Sequence, residues 1–298
     1  MQPPPPSRLT PPRRTAFLLS LITVVGLLGL WLWPVPPALA ELPARDFNSR
    51  NLARLSATTH NPLIFAVFGD SRDHGGLFPV LLEELASEED LDFAVHLGDM
   101  VNRGRLWEYQ AFFRDLRALN GLPLLTVIGN HELKGEGLPL FRQIFGPTDL
   151  SFRLGDYAFV LINNAGKEGV SDTRLQWLRQ ELRRHQGARL RLVFLHKPLF
   201  DPRPRHSHAM PEAPARRLLA VLKEGRADHV FAGHIHGYFT GTWEGLPYTI
   251  SGGAGTALHG RDPRHYFHHY LKVSATAGRL RVEVKPVDLP ALPESYAP

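Results

Sequence analysis

LIFAVFGDSR, residues 63–72, is the stretch on which the fold turns. Six apolar residues, β-branched and aromatic among them, run from Leu63 to Phe68 and stop at Gly69-Asp70. An unbroken apolar run of this length suits a strand buried on both faces, as in a parallel sheet covered by helices. An oxygen-bearing side chain then stands at its carboxyl end. The same event recurs down the chain in FAVHLGD (93–99), LLTVIGNH (124–131), LVFLH (192–196) and VFAGHIH (230–236). Five strand ends therefore carry Asp70, Asp99, Asn130 with His131, His196, and His234 with His236.

Outward from these strands the chain alternates. Helices are predicted over Leu77–Leu85, Leu106–Leu119, Asp172–His185 and Ala213–Leu222. In the third of these, Leu175, Leu178 and Leu182 share one face. Strands are predicted over Leu63–Phe68, Leu91–Leu97, Leu124–Ile128, Leu190–Leu195 and His229–Ala232. Leu150–Leu154 and Tyr157–Ile162 form a hairpin about Gly155-Asp156. Beyond Tyr238 the helical period disappears, and Tyr238–Trp243, Pro247–Ile250, Phe267–Val273 and Leu280–Val284 read as antiparallel strands. The fold class is α/β. No internal repeat divides the chain, so residues 61–290 are expected to be one domain, preceded by a linker or short helix over 41–60.

The composition narrows the chemistry. Apolar residues are 43% and charged residues 21% of the chain, which excludes disorder throughout. The net charge of +5 includes Arg8, Arg13 and Arg14, ahead of any acid. The remainder is close to balanced, and no aromatic-basic interleaving marks a nucleic-acid groove. There is no cysteine, so thiolate metal sites and cysteine nucleophiles are excluded.

Residues 1–40 read as a signal peptide or signal anchor. Ala16–Trp33 is mainly apolar and uncharged, and as a helix would span about 27 Å. Pro34 and the small-x-small Ala38-Leu39-Ala40 favour cleavage near Ala40. The length of the run and Trp31 with Trp33 favour a retained membrane span. Either way the arginines in front predict a domain on the periplasmic or extracellular side, anchored by one helix or secreted.

Ligands of open α/β sheets gather where the strands deliver their carboxyl ends. Any one of these polar residues alone would be a turn or capping group. Crowded together at one rim, they need mutual partners or metal. Carboxylate, imidazole and amide oxygen suit two close divalent ions such as manganese, iron, zinc, nickel or cobalt. Two such ions can share a bridging hydroxide that attacks phosphorus in line.

In FGDSR (68–72), GDMVNRG (98–104), GNHE (129–132), HKPLF (196–200) and GHIH (233–236) the chain resembles the calcineurin-like metallophosphoesterases, related to purple acid phosphatases and Ser/Thr protein phosphatases. SGGAG (251–255) is similar to a late segment near the site. The resemblance implies a four-layer α/β/β/α sandwich and a metal-dependent phosphatase or phosphodiesterase. It implies Asp70 and His236 on one metal, Asn130, His196 and His234 on the other, and Asp99 bridging both. His131 would act on substrate and leaving group, with Glu132 as the acid that orients it. Arg103 would contact phosphate or structure its loop.

Two positions depart from the pattern. Arg72 stands where a histidine ligand is usual, and a guanidinium has no lone pair for a metal. It is expected to bind a phosphate oxygen instead, with His74 a candidate replacement ligand. Asn102 stands where an aspartate is common. The expected substrate is a small-molecule or lipid-linked phosphoester, with possible membrane attachment through residues 16–33. A nucleotide pyrophosphate hydrolase, and a metal-binding regulatory protein of little turnover, are the alternatives. The loop Asp201–Pro214, with Arg203, Arg205, His206 and His208, reads as a substrate-side lid or as a solvated surface loop. His259, His265, His268 and His269 form a second histidine cluster.

Overall fold

β1 (Leu63–Phe68) is the middle strand of a five-stranded sheet. A computed structural model describes residues 41–55, 61–72 and 76–287. On one side β1 pairs in parallel with β2 (Phe93–His96), which pairs in parallel with β3 (Leu124–Thr126). On the other, β10 (His269–Thr276) and β11 (Arg279–Pro286) add antiparallel. The second sheet has six strands, in the order β4 (Leu150–Leu154), β5 (Tyr157–Leu161), β6 (Leu190–Phe194), β7 (His229–Ala232), β9 (Leu246–Ser251) and β8 (Tyr238–Trp243). β5, β6, β7 and β9 run parallel.

Alternation along each strand builds the layers. Phe65, Val67, Phe93, Val95, Phe159, Leu192, Phe194 and Phe231 meet between the two sheets. Phe65 stacks on Phe93 at 5.1 Å and meets Phe159 edge-on at 5.6 Å. Full burial of each such ring contributes about 1.5–3 kcal/mol relative to exposure. The alternate residues face helices. Ala66, Phe68 and Ala94 pack under α2 (Leu77–Ser87), α3 (Leu106–Asp115) and α4 (Gly137–Phe145). Val160, Val193 and Val230 pack under α5 (Asp172–Arg184) and α6 (Glu212–Glu224). The order is helix, sheet, sheet, helix, and both faces of the parallel strands are buried, which is why they read as continuous apolar runs.

Two helices sharpen the sequence reading. α1 (Phe47–Leu55) lies within 41–60 and is pinned to β3 by Asn48, whose side chain exchanges hydrogen bonds with the Thr126 backbone. α4 is absent from the expected elements because Gly137 and Pro139 open it and read as a loop. Proline is tolerated in a first turn, and Phe141, Ile144 and Phe145 give the helix its buried face.

The expected N-terminal signal or transmembrane helix is corrected. No helix among the described residues is long and apolar enough to cross a membrane. The longest, α5 and α6, have 13 residues each, about 20 Å, and both are amphipathic. Among the described residues the fold class is the α/β sandwich. Membrane attachment through residues 16–33, and the periplasmic or extracellular placement, anchored or cleaved near Ala40, were inferred from that helix and fall with it. Residues 1–40 lie outside the described residues, as does His74.

Candidate metal centre

Parallel pairing brings the strand ends to one rim, and tight turns aim their side chains inward. The Asp70 amide donates to the Gly98 carbonyl, and the Gly233 amide to that of His196. His96, fully buried, ties the first two loops together: its Nδ1 accepts from the Gly98 amide, and its Nε2 donates to Ser71 Oγ at 2.9 Å. Asp70, Asp99 and His234 have φ of 63°, 59° and 70°, a left-handed backbone that non-glycine residues adopt at a cost of order 1–3 kcal/mol. Three such residues around one point mark a functional rim. Gly129 permits it, since a Cβ there would collide with the Asp99 amide and Oδ1.

The first cluster is Asp99, His196 and His234, all buried, with ligand atoms within 4.8 Å of one another. His196 Nδ1 donates to the Leu97 carbonyl at 2.8 Å. Burial depresses its pKa, so the ring is neutral and Nε2 carries a bare lone pair. That nitrogen faces Asp99 Oδ1 at 3.3 Å, Asn130 Oδ1 at 3.0 Å and His234 Nδ1 at 3.1 Å. The Asp99 and Asn130 oxygens are acceptors facing a bare nitrogen, a repulsive arrangement that a cation among them would relieve. The donor set fits a borderline divalent metal.

A second group adjoins it. Asp70 is fully buried, and its Oδ2 accepts from the His234 amide at 2.8 Å. Its Oδ1 has no hydrogen-bond partner and lies 3.6 Å from His236 Nε2. His236 Nδ1 donates to the Ala257 carbonyl, and burial with the neighbouring His259 pushes its pKa down to about 3, so Nε2 is again bare. Burial and the Asp99 charge raise the pKa of Asp70 well above the ordinary carboxylate range, a penalty that a bound cation would remove. A Cβ on Gly252, in SGGAG, would stand 2.9 Å from Asp70 Oδ2. That segment therefore lies against the site, as its resemblance to a late segment near the site implies.

The remaining sequence-derived residues divide. His131 lies at the rim: its amide donates to Asp99 Oδ1, its Nδ1 donates to the Asn102 carbonyl at 2.7 Å, and its Nε2 is 3.8 Å from Asp99 Oδ2. The Asn102 carbonyl, rather than Glu132, orients the ring. Glu132 is fully buried and accepts the amides of Asp99, Met100, Val101 and Gly129 at 2.6–3.1 Å. It holds the Asp99 loop in shape. Glu132→Gln would turn an amide NH2 against two of these donors. A loss of about 3 kcal/mol is expected in urea unfolding of the metal-free protein, whereas an acid acting only on His131 would leave stability nearly unchanged.

Arg72 Nη1 donates to Asn102 Oδ1 at 3.1 Å, and Asn102 Nδ2 returns a bond to the Arg72 carbonyl. The two departures from the family pattern thus contact each other. Arg72 Nε lies 3.8 Å from Asp99 Oδ2. The Arg103 side chain is exposed, and its amide donates to the Glu108 carboxylate.

Three more residues join the site, Asn164 from just beyond β5 and His208 and His259 from loops. Asn164 Oδ1 accepts the amides of His196 and Lys197, both at 3.0 Å, and fixes that loop. His208 stacks on His234 at 4.1 Å, and His259 on His236 at 3.8 Å. Their own rings meet at 5.0 Å. The loop Asp201–Pro214 is held down rather than free, since Asp201 binds the Arg203 guanidinium and the His208 amide. The sequence pointed to His208 through its loop and to His259 through the second histidine cluster, and it did not single out Asn164.

Comparison with known proteins agrees with this geometry. A family model described as Calcineurin-like phosphoesterase matches residues 63–238. A probable cyclic nucleotide phosphodiesterase of Rhodopseudomonas palustris is 26% identical over 175 residues, which are 55% of this chain and 64% of that protein. The chain thus spans less than two thirds of the length of that relative. A glycerophosphodiester phosphodiesterase of Enterobacter lignolyticus is 29% identical over 216 residues, 67% of this chain and 77% of that protein. Among solved structures, a purple acid phosphatase from yellow lupin superposes with a TM-score of 0.63 at 16% identity, over 77% of this chain and 52% of that one. A dimetal phosphatase from Danio rerio superposes with a TM-score of 0.59 at 16% identity, over 76% and 97%. At such identities the superpositions speak for the fold alone.

Proposed function

The chain belongs to the calcineurin-like phosphoesterase family, and on that premise we propose that it hydrolyses a phosphodiester, in preference to a phosphomonoester, at a two-metal centre. The family and the buried Asp99–His196–His234 cluster support the coarser reading, a metal-dependent phosphoesterase. The observation that carries the finer reading is the pair of convergent acceptor groups. Asn130, His196 and His234 would hold one ion, Asp70 and His236 the other, and Asp99 lies between them. Metal ions there would supply Lewis acidity and a nucleophilic hydroxide at neutral pH. The choice of diester rests on the two curated relatives, both named as phosphodiesterases.

The chain's own groups supply the rest. Arg72, held in place by Asn102, offers its planar fork to a phosphate oxygen. His131, its Nδ1 engaged by Asn102, has Nε2 at the rim beside Lys134 Nζ, from where it would serve the leaving oxygen. Glu132 and Asn164 keep the ligand loops rigid, and the stacked His208 and His259 shield two ligand histidines from water.

Metal-stripped protein, reloaded singly with manganese, zinc, iron, nickel or cobalt, is expected to recover turnover of aryl phosphodiesters and to bind two equivalents of metal. Arg72→Ala should raise KM for the diester about 10-fold, the weight of one charge-assisted contact. One equivalent at saturation would remove the two-metal reading. No turnover with any metal in a folded protein would leave the binding or regulatory alternative.

A further inference from the structure

A groove of about 530 Å³ is lined by His131, Trp107, Arg103, Arg105 and Lys134, with Asn102 and Glu108. Trp107 stands in the first turn of α3 and is 60% exposed, the one exposed large hydrophobic side chain among the described residues. An indole left in water forgoes most of the free energy its burial would contribute. A single exposed ring would be unremarkable elsewhere; here it lines the same groove as His131, which stands against Asp99 at the metal-ligand rim. Glu108 is the acid of this groove, and its carboxylate is taken up by the amides of Arg103 and Arg105. The three cations therefore set the sign of the lining. Lys134 Nζ lies 3.2 Å from His131 Nε2, which carries positive charge to the boundary between groove and metal cluster.

We propose that this groove is a nucleotide subsite: the base of a nucleoside diphosphate ester stacks on Trp107, and its non-scissile phosphate lies among Arg103, Arg105 and Lys134. This rests on the hydrolase reading above and names its substrate class. The scissile phosphate belongs to the metal cluster, so three further cations exceed what a single phosphate requires. They call for a second anion beside the cluster. A flat aromatic in the same lining suits a base, since every base offers a π-face. An acyl chain would call for a continuous apolar trough, and apart from Trp107 this lining is polar or charged. A glycerol-linked headgroup would leave the indole without a role.

The test uses the metal-loaded full chain and the variants Trp107→Ala and Trp107→Phe. Trp107 is exposed and bears on no metal ligand, so both should fold as the parent does. With adenosine diphosphate glucose, Trp107→Ala is expected to raise KM about 10-fold with kcat nearly unchanged, the weight of one base–aromatic stack. Trp107→Phe should recover most of that loss. KM for glycerophosphocholine should not move. By calorimetry, ADP should bind the parent more tightly than AMP does, and both should weaken in Trp107→Ala. A KM change shared equally by the two substrates, or no change in nucleotide affinity, overturns the base subsite. AMP binding as tightly as ADP overturns the second-phosphate position. A chain that turns over no ester sinks the hydrolase reading, while the nucleotide affinities still decide the groove.

Discussion

Asp99→Asn is expected to lower kcat/KM by roughly 10³-fold or more and to halve the bound metal. The substitution keeps the shape of the side chain and an oxygen able to accept from the His131 amide. It removes the charge that stands 3.3 Å from His196 Nε2 and lies between the two ligand groups. Lewis-acid stabilisation is worth several kcal/mol in a transition state, and about 4 kcal/mol corresponds to roughly 10³ in rate. In the metal-free protein burial first, and then the Asp99 charge, raise the pKa of Asp70. Neutralising Asp99 should leave the metal-free protein as stable as the parent or more so. The parent's thermal stabilisation by added metal should shrink in the variant. Thermal melts with and without metal, beside metal analysis, check both halves. A variant that keeps two equivalents and full activity would show that Asp99 is no ligand.

His131→Ala is expected to cost about 10²–10⁴ in kcat for esters with poor, alkoxide-like leaving groups. The backbone amide that bonds Asp99 survives the substitution, so the ligand loop should keep its shape. Only the ring is lost, with Nδ1 on the Asn102 carbonyl and Nε2 turned to the rim. If that nitrogen delivers a proton to the departing oxygen, the loss depends on how much the oxygen needs it. A p-nitrophenyl ester, whose leaving group departs as a stable anion, should lose far less than a methyl or glyceryl ester. Rate constants across a leaving-group series in parent and variant measure this. An equal loss across the series would assign His131 to binding phosphate rather than to protonating the leaving group.

Much of the architecture was legible because β-strands buried on both faces leave long apolar runs, as at Leu63–Phe68 and Tyr157–Leu161. Helices with a regular apolar stripe, such as α5, were equally plain. α4 was hidden because its opening residues, Gly137 and Pro139, are turn formers that a first helical turn also tolerates. The N-terminal segment misled for a different reason: an apolar run reports hydrophobicity, and no membrane-crossing helix stands among the described residues to bear out the reading built on it.

At the site, the residue types and their order were legible, because each ligand candidate directly follows a strand and parallel strands end on one rim. The partners of those residues were not. Glu132 is adjacent to His131 in sequence, yet its carboxylate turns to four backbone amides, since the turn at 129–132 folds back over the Asp99 loop. Arg72 and Asn102 looked like two separate departures, and their hydrogen bonds make them one unit. His208 and His259 come from segments with no strand-end signal and reach the centre only through stacking.

By itself the sequence determined the fold class, the family and the set of polar groups at the strand ends, because periodicity and short motifs are local and survive in one dimension. Tertiary structure alone decided which lone pairs are bare, which carboxylate holds a loop, and which exposed ring borders the site. Those properties depend on contacts between residues far apart in the chain, such as His196 with Leu97 and Asp70 with His234. No periodicity encodes them, since they arise only when two sheets close face to face and bring their ends to one rim.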